Sequence, residues 1–169
     1  MENGVPEDEL ILDIIIEEEG KATIALFMLD ENDLIAALTH RLSMVGSDGF
    51  GASTSGPLAQ GKPHPRAFGT FPRVLGKYVR EKRALNLEDA VFKMTGLPAR
   101  RYGLRNRGIL MPGNEADIVI FDPFKIIDKA EFKDPFKPPL GIEYVFITGK
   151  TVVEKGIYNG NVYGTILGK

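Results

Sequence analysis

The sequence predicts an α/β fold that ends in a small β-rich module. Two observations carry the first part. Helix-like and strand-like segments alternate over the first 48 residues, and the continuous apolar run ATIALFML has the length of a strand buried on both faces. The third observation is a change of composition near Asn106, after which short β-rich runs are separated by Gly, Asn and Pro.

In chain order, Glu7 to Glu19 places Leu10, Ile11, Ile14 and Ile15 on one helical face, and Gly20 is positioned to stop that helix. Ala22 to Leu29 is the first predicted strand. Asp30 fits an N-cap, and the helix it opens carries Leu34, Ile35, Leu38 and Leu42 on one stripe before a second apolar run at Met44-Val45. Helix, strand, helix, strand is the order of βα units around a parallel sheet. The loop GFGASTSGPLAQGKPHPRAFG follows, about 20 residues dense in Gly, Ser and Pro. Loops that long inside a compact domain are uncommon and usually functional or disordered. From Gly69 the helical period returns with Phe71, Val74, Leu75, Tyr78 and Val79 on one face. Asn86 caps another helix, with Leu87, Ala90, Val91 and Met94 facing inward before Pro98. In the β-rich end, Ile142 to Glu154 around Thr148-Gly149-Lys150 reads as a hairpin, and KDPFKPPLG as a proline-stiffened connector. There is no internal repeat and no low-complexity segment.

A chain of 169 residues holds one core, or one core and a small appendage. Its 21 basic and 23 acidic residues give a net charge of -2, which attracts neither nucleic acid nor an anionic membrane. No run approaches the roughly 18 apolar residues of a spanning helix, and the acidic start MENGVPEDEL lacks the layout of a secretion signal, so a cytoplasmic location is expected. The absence of cysteine excludes disulfides, thiolate zinc sites and cysteine nucleophiles. Carboxylates, hydroxyls, lysines and two histidines remain for chemistry.

The stretch SMVGSDG singles out Asp48. Ser-Asp-Gly is ordinary turn chemistry, so Asp48 is either a turn residue or a working carboxylate. In a parallel α/β fold, ligands bind at the carboxyl ends of the strands, where Asp48 is predicted to sit beside the longest polar loop. That placement favours the working carboxylate. Ser47 and Gly49, which flank it, and His64 and Arg66 in the following loop are candidate substrate-binding residues; Arg66 either clamps a carboxylate bidentately or, as its position alone favours, is a solvated loop arginine, and His64 is either a structural loop histidine or a hydrogen-bond donor to substrate. The glycines do not form a phosphate-binding motif, since Gly49, Gly51 and Gly56 have the wrong spacing and no G-x-x-x-x-G-K-[ST] is present. His40, in a last helical turn, receives no chemical role, and the spacing of His40, Asp48 and His64 gives no reason for them to converge on a metal.

The strings VGSDG, GKPHPRAFGTFPRVLGKYVREK, LEDAVFKMTGLPARRYGL, RGILMPGNEADIVIFDP and GIEYVFITGKTVVEKGIYNG together resemble the C-terminal part of N-acyl-D-amino-acid deacylases, the D-aminoacylase branch of the metal-dependent amidohydrolases. HPR followed by GTFPRVLG marks this branch, whereas the G…AD-V-FD strand is shared by amidohydrolases generally. The resemblance implies that residues 1–105 are the last two βα units of a TIM-like (β/α)8 barrel, with Ala22 to Leu29 and Met44 to Ser47 as its closing strands. Residues 106–169 would be part of a small β-sandwich. It also implies that Asp48 acts as general base towards a metal-bound water and returns the proton to the leaving amine, and that Arg66 binds the carboxylate of an N-acyl amino acid. The implied cofactor is zinc. Its H-x-H and other ligands are missing from this sequence, so the chain alone is expected to bind none. The expected partners are an N-terminal complementary polypeptide, or other copies of the chain in a homo-oligomer. A stand-alone non-catalytic remnant is the alternative.

Overall fold

A computed structural model describes residues 6–167 apart from 23 and 25. Helix α1 spans Glu7–Glu17 and α2 spans Glu31–Thr39, the latter capped by Asp30, whose side chain accepts from the Asn32 amide. Helix α3 runs Arg66–Arg73 and continues directly into a π-helical stretch, Val74–Glu81. Pro72 lies inside α3. A proline there has no N–H to give and its ring crowds the preceding turn, and the register widens from α to π immediately after it. Helix α4 (Leu87–Met94) is capped by Asn86, which accepts from the Asp89 amide, and α5 (Gly96–Tyr102) ends at Gly103 in the left-handed conformation.

Four strands follow: β1 (Ile118–Phe121), β2 (Ile142–Ile147), β3 (Lys150–Glu154) and β4 (Ile157–Tyr158). They form one antiparallel meander in the order β1-β2-β3-β4. The predicted hairpin is present, with Ile147 opposite Lys150 and both Thr148 and Gly149 at positive φ, as its two-residue turn requires. The Thr148 amide donates to Asp117 Oδ1 at 2.9 Å, which helps hold a β-branched residue in that conformation.

The core joins helices to sheet. Val74, Leu75, Ala90 and Ile126 form its buried centre, with Leu38, Val45, Val79, Leu85, Leu87, Val91, Met94, Phe121 and Ile142 packed around them. Gly76 allows this contact: a Cβ at that position would lie 2.6 Å from the Ile126 carbonyl oxygen.

The two predicted strands are absent among the described residues. In Ala22 to Leu29, where Thr23 and Ala25 lie outside the described residues, the chain is irregular, and Ile24, Leu26, Phe27, Met28 and Leu29 are 64–89% exposed. An apolar run becomes a strand only against a neighbouring ladder, and none of the paired strands includes this segment. Met44-Val45 is likewise irregular, because the Val45 amide donates to the Lys93 carbonyl of α4 instead of to a strand. The parallel βα arrangement is therefore not formed by these residues, and the β-rich end forms a single antiparallel meander. Helix boundaries also differ, α1 ending at Glu17 instead of Glu19. Helix α2 ends at Thr39, leaving Leu42 exposed, and α3 begins at Arg66, three residues before the expected return of the helical period. Helix α1 forms, but Leu10, Ile11, Ile14 and Ile15 remain exposed. No helix among the described residues is long and apolar enough to cross a membrane.

Candidate functional site

Asp48 adopts φ +48°, a left-handed conformation that aspartate tolerates better than most residues. The Gly49 amide then reaches the Ser47 hydroxyl, which accepts at 3.3 Å. Gly49 is pressed against α3, where an added Cβ would come within 2.9 Å of the Ala67 Cα. This close approach sets Asp48 beside the start of α3. Its Oδ2 pairs with Arg66 Nη2 at 2.9 Å, the Asp48 carboxylate being 87% exposed and the Arg66 side chain about half that.

His64 shapes the start of the same helix. Its Nδ1 accepts from the Arg66 amide at 3.0 Å, so a neutral ring carries its proton on Nε2. Partial burial lowers the His64 pKa, and the nearby Arg66 and Arg73 charges lower it further, against an opposing pull from Asp48. The neutral form that this favours is the one able to accept from Arg66. The ring also meets Phe132 edge to face, with centroids 4.9 Å apart, and Phe27 meets Phe132 from another side at 5.0 Å.

Between these groups lies a cleft of about 260 Å³. One wall is His64 to Arg73; the other is Ala130, Glu131 and Phe132. The walls are joined by Arg73, whose Nε and Nη2 both donate to Oδ2 of the buried Asp128 side chain, at 2.8 and 2.6 Å. Of the five sequence candidates, His64 and Arg66 line the cleft, while Asp48 reaches it through its ion pair with Arg66. Ser47 and Gly49 shape the turn that carries Asp48. Sequence reasoning missed Arg73, Asp128 and Phe132. Phe132 stands immediately before KDPFKPPLG, the segment read as a connector, whose own Phe136 meets Phe68 edge to face at 5.7 Å.

The model of the amidohydrolase family matches residues 23–153. The chain belongs to the amidohydrolase family. Among characterised amidohydrolases, D-aminoacylase from Alcaligenes xylosoxydans xylosoxydans is 41% identical over 155 residues, covering 92% of this chain and 31% of that relative. A crystal structure of D-aminoacylase superimposes with TM-score 0.72 at 43% identity, over 80% of this chain and 27% of the other. The structure of N-acyl-D-glutamate deacylase from Bordetella bronchiseptica, complexed with zinc and a phosphonate inhibitor, matches with TM-score 0.68 at 44% identity, over 75% of this chain and 25% of that one. The chain thus resembles N-acyl-D-amino-acid deacylases over most of its length while spanning under a third of theirs.

The amidohydrolase relatives raise the question of a metal. Among the described residues, no three His, Cys, Asp or Glu side chains come together as ligands, and the Asp48 carboxylate faces a guanidinium cation. These residues do not by themselves fit a metal centre.

Proposed function

We propose that this chain supplies one part of an N-acyl-D-amino-acid deacylase site, in which Asp48 is the proton-transfer residue and Arg66 the substrate anchor. The carrying observation is the Asp48–Arg66 pair at the edge of the cleft. A guanidinium that already holds one carboxylate there is matched in charge and shape to hold another, that of an N-acyl amino acid. Asp48, released by that exchange and open to water, then takes a proton from the attacking water and gives it to the departing amine. In this reading the zinc ligands lie on an N-terminal complementary polypeptide. Residues 1–105 complete a barrel when that partner is present, and residues 106–169 complete a sandwich. The exposed residues Ile24 and Leu26 to Leu29 support this, since they have a strand's composition and, among the described residues, join no ladder.

Co-expression with the complementary segment of a D-aminoacylase tests the proposal. Turnover of N-acyl-D-amino acids is expected. Asp48→Asn should abolish it without changing metal content, because an amide cannot accept the proton. Arg66→Ala should raise KM for substrates with a free carboxylate and spare those without one. Near-native kcat in Asp48→Asn overturns the assignment.

A second reading is a stand-alone, non-catalytic chain that self-associates. The lack of converging metal ligands among the described residues favours it. Binding of an N-acyl amino acid by the isolated chain, with no turnover in any complemented complex, would select it.

A further inference from the structure

The segment carrying Asp48 leaves α2 at His40 and reaches Asp48 without joining a strand. A buried lysine holds it instead. Lys93, on α4, is 6% exposed, and its Nζ donates to the His40 carbonyl at 2.5 Å, to the Ser43 carbonyl at 3.2 Å and to Ser43 Oγ at 2.9 Å. An ammonium has three protons to donate, and three oxygens of this one segment receive them. The Lys93 carbonyl also accepts from the Val45 amide at 3.2 Å, so one residue grips positions 40 to 45 through both its side chain and its main chain. The Val45 side chain packs on the core. Four residues further on, Gly49 is seated against Ala67. Asp48 therefore lies between an anchor on α4 and a seat on α3.

We infer that Lys93 is a positioning residue for Asp48, holding its segment in the register that brings the carboxylate to Arg66. Burying a lysine without a carboxylate partner is costly unless its donors are satisfied. Here its three acceptors are main-chain and hydroxyl oxygens of the segment it positions. The catalytic consequence rests on the reading of Asp48 and Arg66 given above; the anchoring itself can be measured without turnover.

Lys93→Met keeps the apolar stem and removes the donors. In the isolated chain, amide hydrogen exchange within residues 43–49 should then quicken roughly ten- to a hundredfold relative to the β2–β3 hairpin, the scale of lost hydrogen bonds to a charged group. Acceleration spread evenly over the chain, or none, overturns the inference. Ser43→Ala removes one of the three acceptors, together with the hydroxyl's own donation to the Leu38 and His40 carbonyls, while leaving Lys93 in place. It should give the same local pattern at about tenfold, and keeps the test decisive if the methionine variant does not fold. In the complemented enzyme, Lys93→Met should lower kcat about 100-fold with KM little changed, because Arg66 stays on α3. A change in KM alone contradicts the positioning role. If the complemented wild type shows no turnover, the functional reading fails while the exchange result still decides the anchoring.

Discussion

Glu31, in the first turn of α2, meets three groups of the π-helical stretch and its end: Lys77 Nζ at 2.6 Å, Lys82 Nζ at 2.9 Å and the Tyr78 hydroxyl, which donates at 3.3 Å. The hydrogen bonds from Lys77 and then Lys82 bring its pKa from 4.5 down to about 2. A carboxyl depressed in this way stabilises the fold fully above pH 4.5, and that contribution is lost as the pH falls from 4.5 towards 2. The cluster is open to solvent, so salt screens it. Urea titrations of Glu31→Gln across that window should show a flatter dependence of stability on pH than the parent, with the difference shrinking in high salt. Parallel curves would show that the contacts contribute nothing. At the same scale, both helix caps were legible, Asp30 and Asn86, because an N-cap needs only a short polar side chain at the right offset. The role of Lys93 was not legible, since a lysine on a helix reads as solvated until the segment that buries it is known.

Among the elements, the π-helical stretch depends on close packing at Gly76. A Cβ there would stand 2.5 Å from Ile127 Cδ1, which can swing away, and 2.6 Å from the Ile126 carbonyl oxygen, which cannot without moving main chain. Gly76→Ala should therefore destabilise the chain by roughly 1–3 kcal/mol. Gly51→Ala, which meets nothing within 4 Å, should be nearly neutral. Thermal melts of the two variants compare them directly, and equal midpoints would disprove the packing argument. The helices and the β2–β3 hairpin were readable because their signals are local: apolar period, cap, two-residue turn. The stretches 22–29 and 44–47 have a strand's composition but are irregular among the described residues, because strand formation is settled by a neighbour, which a run of apolar residues does not specify. The second wall of the cleft was missed for the same reason. It is built by residues 130–132, far along the chain from the first wall at residues 64–73.

Across the whole molecule, the apolar surface left uncovered is large for the core it has. The buried centre is Val74, Leu75, Ala90 and Ile126, whereas Leu10 to Leu12, Ile14 to Ile16 and Leu26 to Leu29 all stand at least 43% exposed. Surfaces of that kind find a partner or aggregate. Light scattering of the isolated chain is expected to give a mass above that of a monomer, and addition of the complementary N-terminal polypeptide should replace the self-contact with a hetero-complex. A monodisperse monomer that ignores the polypeptide would count against the composite enzyme. The cleft has a consequence of another kind. Its two walls come from distant parts of the chain, so a guest held between them is also a clip across a long loop, and its binding free energy adds to that of folding. At a concentration 100 times its dissociation constant, such a guest contributes about 2.7 kcal/mol. The melting temperature of the isolated chain thus becomes a gauge of occupancy, and candidate guests can be ranked on it with no reaction taking place.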